Sequence, residues 1–264
     1  MIALQGIHVT FGRGTPLENR ALRGLDLAIP AGQFVTVIGS NGAGKSTLLN
    51  VLSGDARAER GRIEIEGTDV TLWPAPKRAG LIARVFQDPM AGTCEGLSIE
   101  ENMALAYARG RARGLGPSLN ATRRDLFRDK LSVLGLGLEN RLGDSMGQLS
   151  GGQRQAVSLL MATLTGMKIL LLDEHTAALD PRTADFVLEL TRKIVEEQKL
   201  TTLMVTHSMR HALDHGTRTV MLHEGQIAFD LDAEHRQGLD VPDLLKLFSK
   251  VRGEQLDDDS LLLG

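Results

Sequence analysis

The chain has 264 residues, of which 42% are hydrophobic, and carries 30 Lys and Arg against 33 Asp and Glu, a net charge of −3. This length suits one large α/β domain or two modest ones. The charge does not mark the chain as a nucleic-acid binder, which would favour a basic face, and its single cysteine, Cys94, excludes an internal disulfide. The sequence has neither a secretory signal pattern nor a run of 18 apolar residues that would span a bilayer.

The first predicted elements are β-strands. Short β-rich segments lie at 2–4, 7–11 and 25–29, and the continuous apolar run Phe34–Ile38 predicts a strand buried on both faces. Leucine and valine then recur at helical spacing, which predicts a helix that ends near Gly54. An alternating segment at 62–66 and a brief apolar run at 83–86 predict two further strands.

From about residue 90 to 155 the strand signals fade, and helical patterns at 100–109 and 122–134 predict a helical insertion within an α/β core. A buried strand at 169–172 follows. Asp180 and Pro181 then start a helix, whose apolar face is predicted to contain Phe186, Val187, Leu190, Ile194 and Val195. A strand at 201–205, a hairpin at 221–229 and a solvated acidic tail at 253–260 complete the chain.

The segment from Gly39 to Ser46 matches the phosphate-loop pattern G-x-x-x-x-G-K-[ST] and lies between a predicted strand and a helix. Its backbone amides and the helix N-terminus would hold polyphosphate oxygens. Lys45 would reach the β- and γ-phosphates, and the Ser46 hydroxyl would bind Mg²⁺. A glycine-rich turn with no ligand is the alternative. The predicted ATP-binding residues of this loop are Ser40, Asn41, Gly42, Ala43, Gly44, Lys45, Ser46 and Thr47.

A second acidic feature ends the apolar segment that begins at Ile169. Asp173 lies at the carboxyl end of this predicted strand, where it would help to hold the Mg²⁺ of a phosphate-loop site. Glu174 follows directly and would polarise the attacking water as a general base. Two solvated carboxylates at a strand end are the alternative interpretation.

The pentapeptide LSGGQ at 149–153 by itself predicts a helix N-terminus capped by Ser150. Together with the phosphate loop and the acidic strand, in that order along the chain, it resembles the signature motif of the ABC (ATP-binding cassette) ATPases. The resemblance covers nearly the whole chain. Gln87 resembles the Q-loop glutamine, residues 178–180 the D-loop, and His207 the switch histidine, while Phe11 resembles the aromatic residue that stacks on adenine.

This resemblance implies an α/β P-loop NTPase (RecA-like) core with a mixed or antiparallel β subdomain and an inserted α-helical subdomain. The chain would be one ABC ATPase domain over 1–264, with the core at 1–88 and 156–264 and the helical subdomain at 89–155.

The resemblance also implies a head-to-tail dimer with a second copy of the cassette. Each ATP would lie between the phosphate loop of one copy and the signature motif of the other, and Ser150, Gly151, Gly152 and Gln153 would contact it from the opposite subunit. Gln87 would lie near Mg²⁺ and the attacking water, and His207 would contact the γ-phosphate.

Two positions depart from the family pattern. His175 follows Glu174, where most relatives carry proline, and we expect activity to survive because the segment DEHTAALD would still form the same turn. Phe11 stands where tyrosine is more common, and it retains the aromatic face that stacks on adenine. An ordinary core residue is the alternative for Phe11.

The expected function is that of the ATP-hydrolysing subunit of a multi-subunit ABC membrane transporter, a bacterial small-solute importer. Its partners would be transmembrane permease subunits and, in some systems, a solute-binding protein, with no nucleic acid. The chain would then be peripheral at the cytoplasmic face of the inner membrane. The alternatives are an exporter motor and a soluble ABC ATPase acting on DNA or ribosomes. A long coiled-coil insertion or a second cassette, which such soluble ATPases carry, is not found in this sequence.

Overall fold

The computed structural model describes residues 1–110 and 117–252. The predicted acidic tail at 253–260 lies outside the described residues. Among the residues described, no helix combines the length and the apolar character that crossing a membrane requires.

Ten strands and nine α-helices are found in the described part of the chain. The strands are β1 (Ile2–Phe11), β2 (Asn19–Ile29), β3 (Phe34–Ile38), β4 (Arg60–Ile65), β5 (Thr68–Asp69), β6 (Ile82–Val85), β7 (Ile169–Asp173), β8 (Thr201–Val205), β9 (Arg218–His223) and β10 (Gln226–Leu231). The helices are α1 (Lys45–Ser53), α2 (Ala75–Arg78), α3 (Ile99–Tyr107), α4 (Ala121–Ser132), α5 (Gly151–Thr163), α6 (Pro181–Gln198), α7 (Met209–Asp214), α8 (Ala233–Arg236) and α9 (Val241–Arg252).

The chain divides into two compact units. Unit 1 comprises residues 1–78 and 200–264, and unit 2 comprises residues 79–199. The helical subdomain predicted at 89–155 lies within the range of unit 2, and its bounds stay a prediction.

Unit 1 carries the strands that surround the phosphate loop. Strand β3 pairs in parallel with β8 and β9, and β10 pairs antiparallel with β9. All five residues of β3 are buried, as the continuous apolar run predicts for a strand covered on both faces. A separate antiparallel sheet has the order β2-β1-β4-β5.

The first two predicted strands form a single element, β1. The pairing of β1 with β2 shifts register between Leu4 and Ile7, and Gly6 has a φ of 57° at this irregularity. An irregularity of this kind adds a residue without ending the strand. The prediction of two separate strands was wrong for this reason.

Helix α1 follows the phosphate loop, and a buried arginine closes its other end. The Arg78 guanidinium donates to the carbonyl oxygens of Val51 and Leu52 at 2.6 and 2.9 Å, and to those of Trp73 and Thr71 at 2.9 and 3.2 Å. Burial lowers the pKa of Arg78. A cation at a helix C-terminus is favoured by the helix dipole and satisfies carbonyls that have no partner within the helix.

Unit 2 combines the parallel pair β6 and β7 with helices α3 to α6. The hydrogen bonds between Leu97 and Met146 and between Glu95 and Gly147 join the start of α3 to the segment that precedes α5. The bridge between Ser98 and Ser145 extends this contact. The entry to α5 is therefore held by backbone hydrogen bonds to residues 95–98.

Helix α6 differs from its prediction at one position. Val187, Leu190, Ile194 and Val195 are buried as predicted, but Phe186 is 38% exposed. At about 100° of rotation per residue, Phe186 lies beyond the edge of the stripe formed by the other four. The assignment of Phe186 to the buried face was therefore wrong.

Candidate nucleotide site

The phosphate loop lies in unit 1, between β3 and α1. Gly39 has a φ of 149°, and a Cβ at this position would lie 2.2 Å from the carbonyl oxygen of Leu222 on β9. Only glycine allows the loop to leave the sheet so close to this neighbouring strand. The loop therefore passes against β9 before it turns into α1.

Lys45 begins α1 and is 6% exposed. Its Nζ donates to the carbonyl oxygens of Gly39 and Ser40, at 2.7 and 3.1 Å. These bonds hold the ammonium group over the loop. The N-cap residue of α1 is Gly44, and no described side chain forms a capping hydrogen bond there. The first amides of α1 and its positive dipole end thus face the loop, which is the arrangement that binds phosphate.

Phe11 and residues of the loop line one pocket of about 180 Å³. Phe11 is 46% exposed, so its ring presents a face on which a base could stack. Asn19 and Ala21 of β2 also line this pocket, and sequence analysis missed both because it began the strand at residue 25. Asn19 pairs with Phe11 across β1 and β2. A prediction of that pairing would have placed Asn19 beside Phe11.

The loop residues that line this pocket with Phe11 are Asn41, Gly42, Gly44, Lys45, Ser46 and Thr47. Ser40 and Ala43 lie in the same loop, where the Ala43 amide donates to the Ser40 carbonyl at 3.1 Å.

His207 lies in unit 1 between β8 and α7 and is half-buried. The amide of Thr206 donates to the carbonyl of Val37 on β3 at 3.1 Å. Because β3 and β8 are parallel, their carboxyl ends meet at one edge of the sheet. The phosphate loop and His207 therefore follow neighbouring strands at the same edge, where ligands bind in open α/β sheets.

The acidic residues lie in unit 2. Asp173 is the last residue of β7, and its Oδ2 accepts from Nη2 of Arg84 on β6 at 2.5 Å. Both side chains are largely buried, with 15% and 12% exposed. Sequence analysis missed Arg84, and its position within an otherwise apolar strand was the available signal. This ion pair fixes the direction of the Asp173 carboxylate.

Glu174 has a φ of 47°, in the left-handed region that non-glycine residues rarely adopt. Residues in this conformation cost of order 1–3 kcal/mol and concentrate at functional sites. Gln87 is exposed and follows β6 by two residues. Since β6 and β7 are parallel, Gln87 and Glu174 follow adjacent strands at one edge. The Gln155 side chain donates to the Phe86 carbonyl at 3.2 Å and so holds the start of the Gln87 loop.

The signature residues form the N-terminus of α5. Ser150 Oγ accepts from the Gln153 amide at 3.2 Å, and Gln153 Oε1 accepts from the Ser150 amide at 3.1 Å. This capping box confirms the predicted helix start. Ser150 and Gly151 are exposed, whereas Gly152 is buried. A Cβ at Gly152 would lie 2.0 Å from Cγ2 of Thr183, so packing within unit 2 already favours glycine there.

The predicted Mg²⁺ ligands supply the hydroxyl of Ser46, the amide oxygen of Gln87 and the carboxylate of Asp173. Oxygen donors of these types are those that Mg²⁺ prefers. In the described residues, no group of three or more His, Cys, Asp and Glu side chains could hold a metal by itself. Donors of these types suit a metal that takes its other ligands from phosphate and water.

The chain is similar to known proteins of one family. The family model described as ABC transporter matches residues 22–177. The tyrosine transport ATP-binding protein of Clostridioides difficile is 42% identical over 94% of this chain and 98% of that protein. The thiamine import ATP-binding protein ThiQ of Salmonella typhimurium is 36% identical over 77% of this chain and 81% of that protein.

Solved structures are similar as well. The dimeric structure of a bacterial ABC transporter cassette has a TM-score of 0.75 at 28% identity and covers 88% of this chain and 99% of that chain. A post-hydrolysis dimer of an ATP-binding cassette bound to ADP and phosphate has the same TM-score, identity and coverage. The predicted α/β P-loop NTPase fold is thereby confirmed, and the chain belongs to the ABC transporter family as an ATPase of the ATP-binding cassette type.

Proposed function

We propose that this chain is the ATP-hydrolysing subunit of an ABC importer and that it acts as a head-to-tail dimer. The proposal of a dimer depends on one observation. Ser150 and Gly151 are exposed at the N-terminus of a 13-residue helix, while the Ser150 hydroxyl is directed by its capping bond. A helix N-terminus that is exposed in this way can receive the phosphates of an ATP held by a second copy. Similar cassettes form dimers in solved structures.

In the proposed mechanism, the phosphate-loop amides and Lys45 bind the triphosphate, and Phe11 stacks on the base. Ser46, Gln87 and Asp173 would hold Mg²⁺, which supplies charge neutralisation at the β- and γ-phosphates.

Glu174 accepts a hydrogen bond from the attacking water and orients it towards the γ-phosphorus. His207 donates to a γ-phosphate oxygen. Binding across two copies closes the dimer, and hydrolysis releases it, so that ATP sets the affinity between subunits.

The role of Glu174 is tested with Glu174→Gln, which keeps the shape of the side chain and removes the base. We expect ATP turnover to fall by roughly 10²–10⁴-fold, the usual contribution of a general base, while ATP affinity stays unchanged and an ATP-bound dimer accumulates. Asp185→Asn, an exposed acid on α6, is the matched control and should hydrolyse ATP at the wild-type rate. Turnover of Glu174→Gln at the wild-type rate would exclude the proposed role.

A cleft in unit 2 is the proposed contact with the permease. It has a volume of about 280 Å³, and its lining includes Thr93, Asn102, Leu105, Arg109 and Met161. Leu105 is 57% exposed, and burial lowers the pKa of Arg109. The cleft thus offers apolar surface beside a cation, which suits an amphipathic helical segment of a membrane protein.

Import of a small organic solute is proposed from the names of relatives, which include transport of tyrosine and import of thiamine and aliphatic sulfonates. An amino-acid-like solute is the first candidate, because the relative with tyrosine in its name is 42% identical. A solute-binding protein and a peripheral position at the cytoplasmic face of the membrane belong to this same proposal.

The partners are tested by isolating the tagged chain from native membranes in detergent with a non-hydrolysable ATP analogue. We expect a multi-spanning permease to co-purify with the wild type and with Leu72→Glu, an exposed control in unit 1, and to be lost with Leu105→Glu. A solute-binding protein that co-purifies would support import. Recovery of ribosomes or DNA-associated proteins, with the chain in the soluble fraction, would contradict the transporter proposal.

A further inference from the structure

His175, the residue that departs from the family pattern, is buried with only 2% of its surface exposed. Its Nε2 lies 3.1 Å from Oγ1 of Thr191, which is 1% exposed and belongs to α6. A polar pair in such a position is retained only when its hydrogen bond is made, because an unsatisfied buried group is costly. The bond therefore joins the turn after β7 directly to the middle of α6.

The direction of this bond follows from the hydroxyl group. Thr191 Oγ1 carries a single hydrogen, and it donates that hydrogen to the carbonyl oxygen of Val187 at 2.7 Å. The same oxygen can then only accept from the imidazole. His175 must therefore carry a hydrogen on Nε2. Proline, which has no side-chain donor, cannot form this bond.

The bond lies beside Glu174, one of the non-glycine residues with a positive φ among those that the structure describes. Glu174 adopts a left-handed φ of 47°, which persists only where neighbouring contacts enforce it. On one side, Asp173 is held by Arg84 at 2.5 Å. On the other side, the amide of Ala177 donates to the Glu174 carbonyl at 2.9 Å. His175 is the side-chain anchor on that second side.

We propose that His175 is a positioning residue for hydrolysis: its Nε2–H bond to Thr191 ties the turn after β7 to α6 and so fixes the Glu174 carboxylate for activation of water. The imidazole is buried and acts through Glu174. This inference rests on the proposed role of Glu174 as general base. Displacement of a reacting group by about 1 Å can cost on the order of 10²-fold in rate.

The test uses the full chain with two pairs of variants. His175→Leu and Thr191→Val remove the bond while they fill the space, and His175→Gln and Thr191→Ser retain a donor or an acceptor as matched controls. We expect kcat for ATP to fall by about 10–100-fold in the first pair, with KM and the affinity for a fluorescent ATP analogue unchanged. The second pair should retain most of the activity. Equal kcat in all four variants would overturn the proposal.

A second measurement separates positioning from a general loss of structure. His175→Leu is combined with Glu174→Gln, in which no base is left to position. We expect the double variant to hydrolyse ATP at the rate of Glu174→Gln alone, because the two changes act on one interaction. If His175→Leu lowered kcat in the Glu174→Gln background by the same factor as in the wild type, the positioning role would be overturned. Wild-type turnover in Glu174→Gln alone would instead overturn the base assignment and, with it, this inference.

Discussion

Substitution of Gly39 by alanine tests whether the phosphate loop needs glycine for contact with β9 or only for backbone freedom. In Gly39→Ala the new Cβ would lie 2.2 Å from Leu222 O and 3.2 Å from the Cβ of Ala43. The carbonyl oxygen belongs to the backbone of a strand paired with β3, so it cannot rotate away. Relief requires that the loop or β9 shift, as overpacked groups force the backbone to do.

Two contributions set the magnitude. A non-glycine residue at this φ of 149° costs of order 1–3 kcal/mol, and overpacking against a rigid neighbour adds about 1–3 kcal/mol. Their sum is roughly 4 kcal/mol of unfolding free energy. At about 2–4 °C per kcal/mol for a chain of this size, the melting temperature should fall by roughly 10 °C. ATP affinity should fall with it, because the displaced loop carries the phosphate-binding amides.

Gly42→Ala is the matched control within the same loop. Gly42 has a φ of 79°, and no described atom lies within 4 Å of the position that its Cβ would occupy. Only the left-handed conformation is then penalised, at about 1–2 kcal/mol. Thermal unfolding followed by circular dichroism, with binding of a fluorescent ATP analogue, compares the two variants. Equal losses of melting temperature would refute the argument from the Leu222 contact.

Three further changes test other parts of the site. Lys45→Ala removes a charge-assisted phosphate contact of about 1.5–3 kcal/mol, so ATP affinity measured by titration calorimetry should fall roughly 10–100-fold. Lys77→Ala, at an exposed position, is the control. Equal ATP affinity in the two variants would contradict the contact between Lys45 and phosphate. Ser150→Arg should leave ATP binding by the monomer intact and prevent ATP-dependent dimerisation in size-exclusion chromatography; normal dimerisation would contradict the head-to-tail arrangement. Arg78→Met leaves four carbonyls without their donor and should lower the unfolding free energy by about 3 kcal/mol in urea, while the exposed Arg62→Met should lose less than about 1 kcal/mol; equal losses would show that the cap on α1 does not stabilise the fold.

Local sequence was sufficient for several elements and for the motifs they carry, although not for the bounds of β1 and β2. The buried run of β3, the capping box at Ser150 and the proline-started helix α6 depend on residues within a few positions of each other. These elements form through short-range hydrogen bonds and apolar periodicity, and sequence patterns show both. The order of these motifs also determined the family.

Tertiary structure decided the contacts between residues that are distant in the chain. Leu222 explains Gly39, Arg84 holds Asp173 and Thr191 receives the hydrogen bond of His175, over separations that no local pattern records. Packing also decided the exposure of Phe186, because the buried face of α6 does not include this residue. A sequence pattern determines which residues share a strand or helix face, but packing between elements determines which atoms meet.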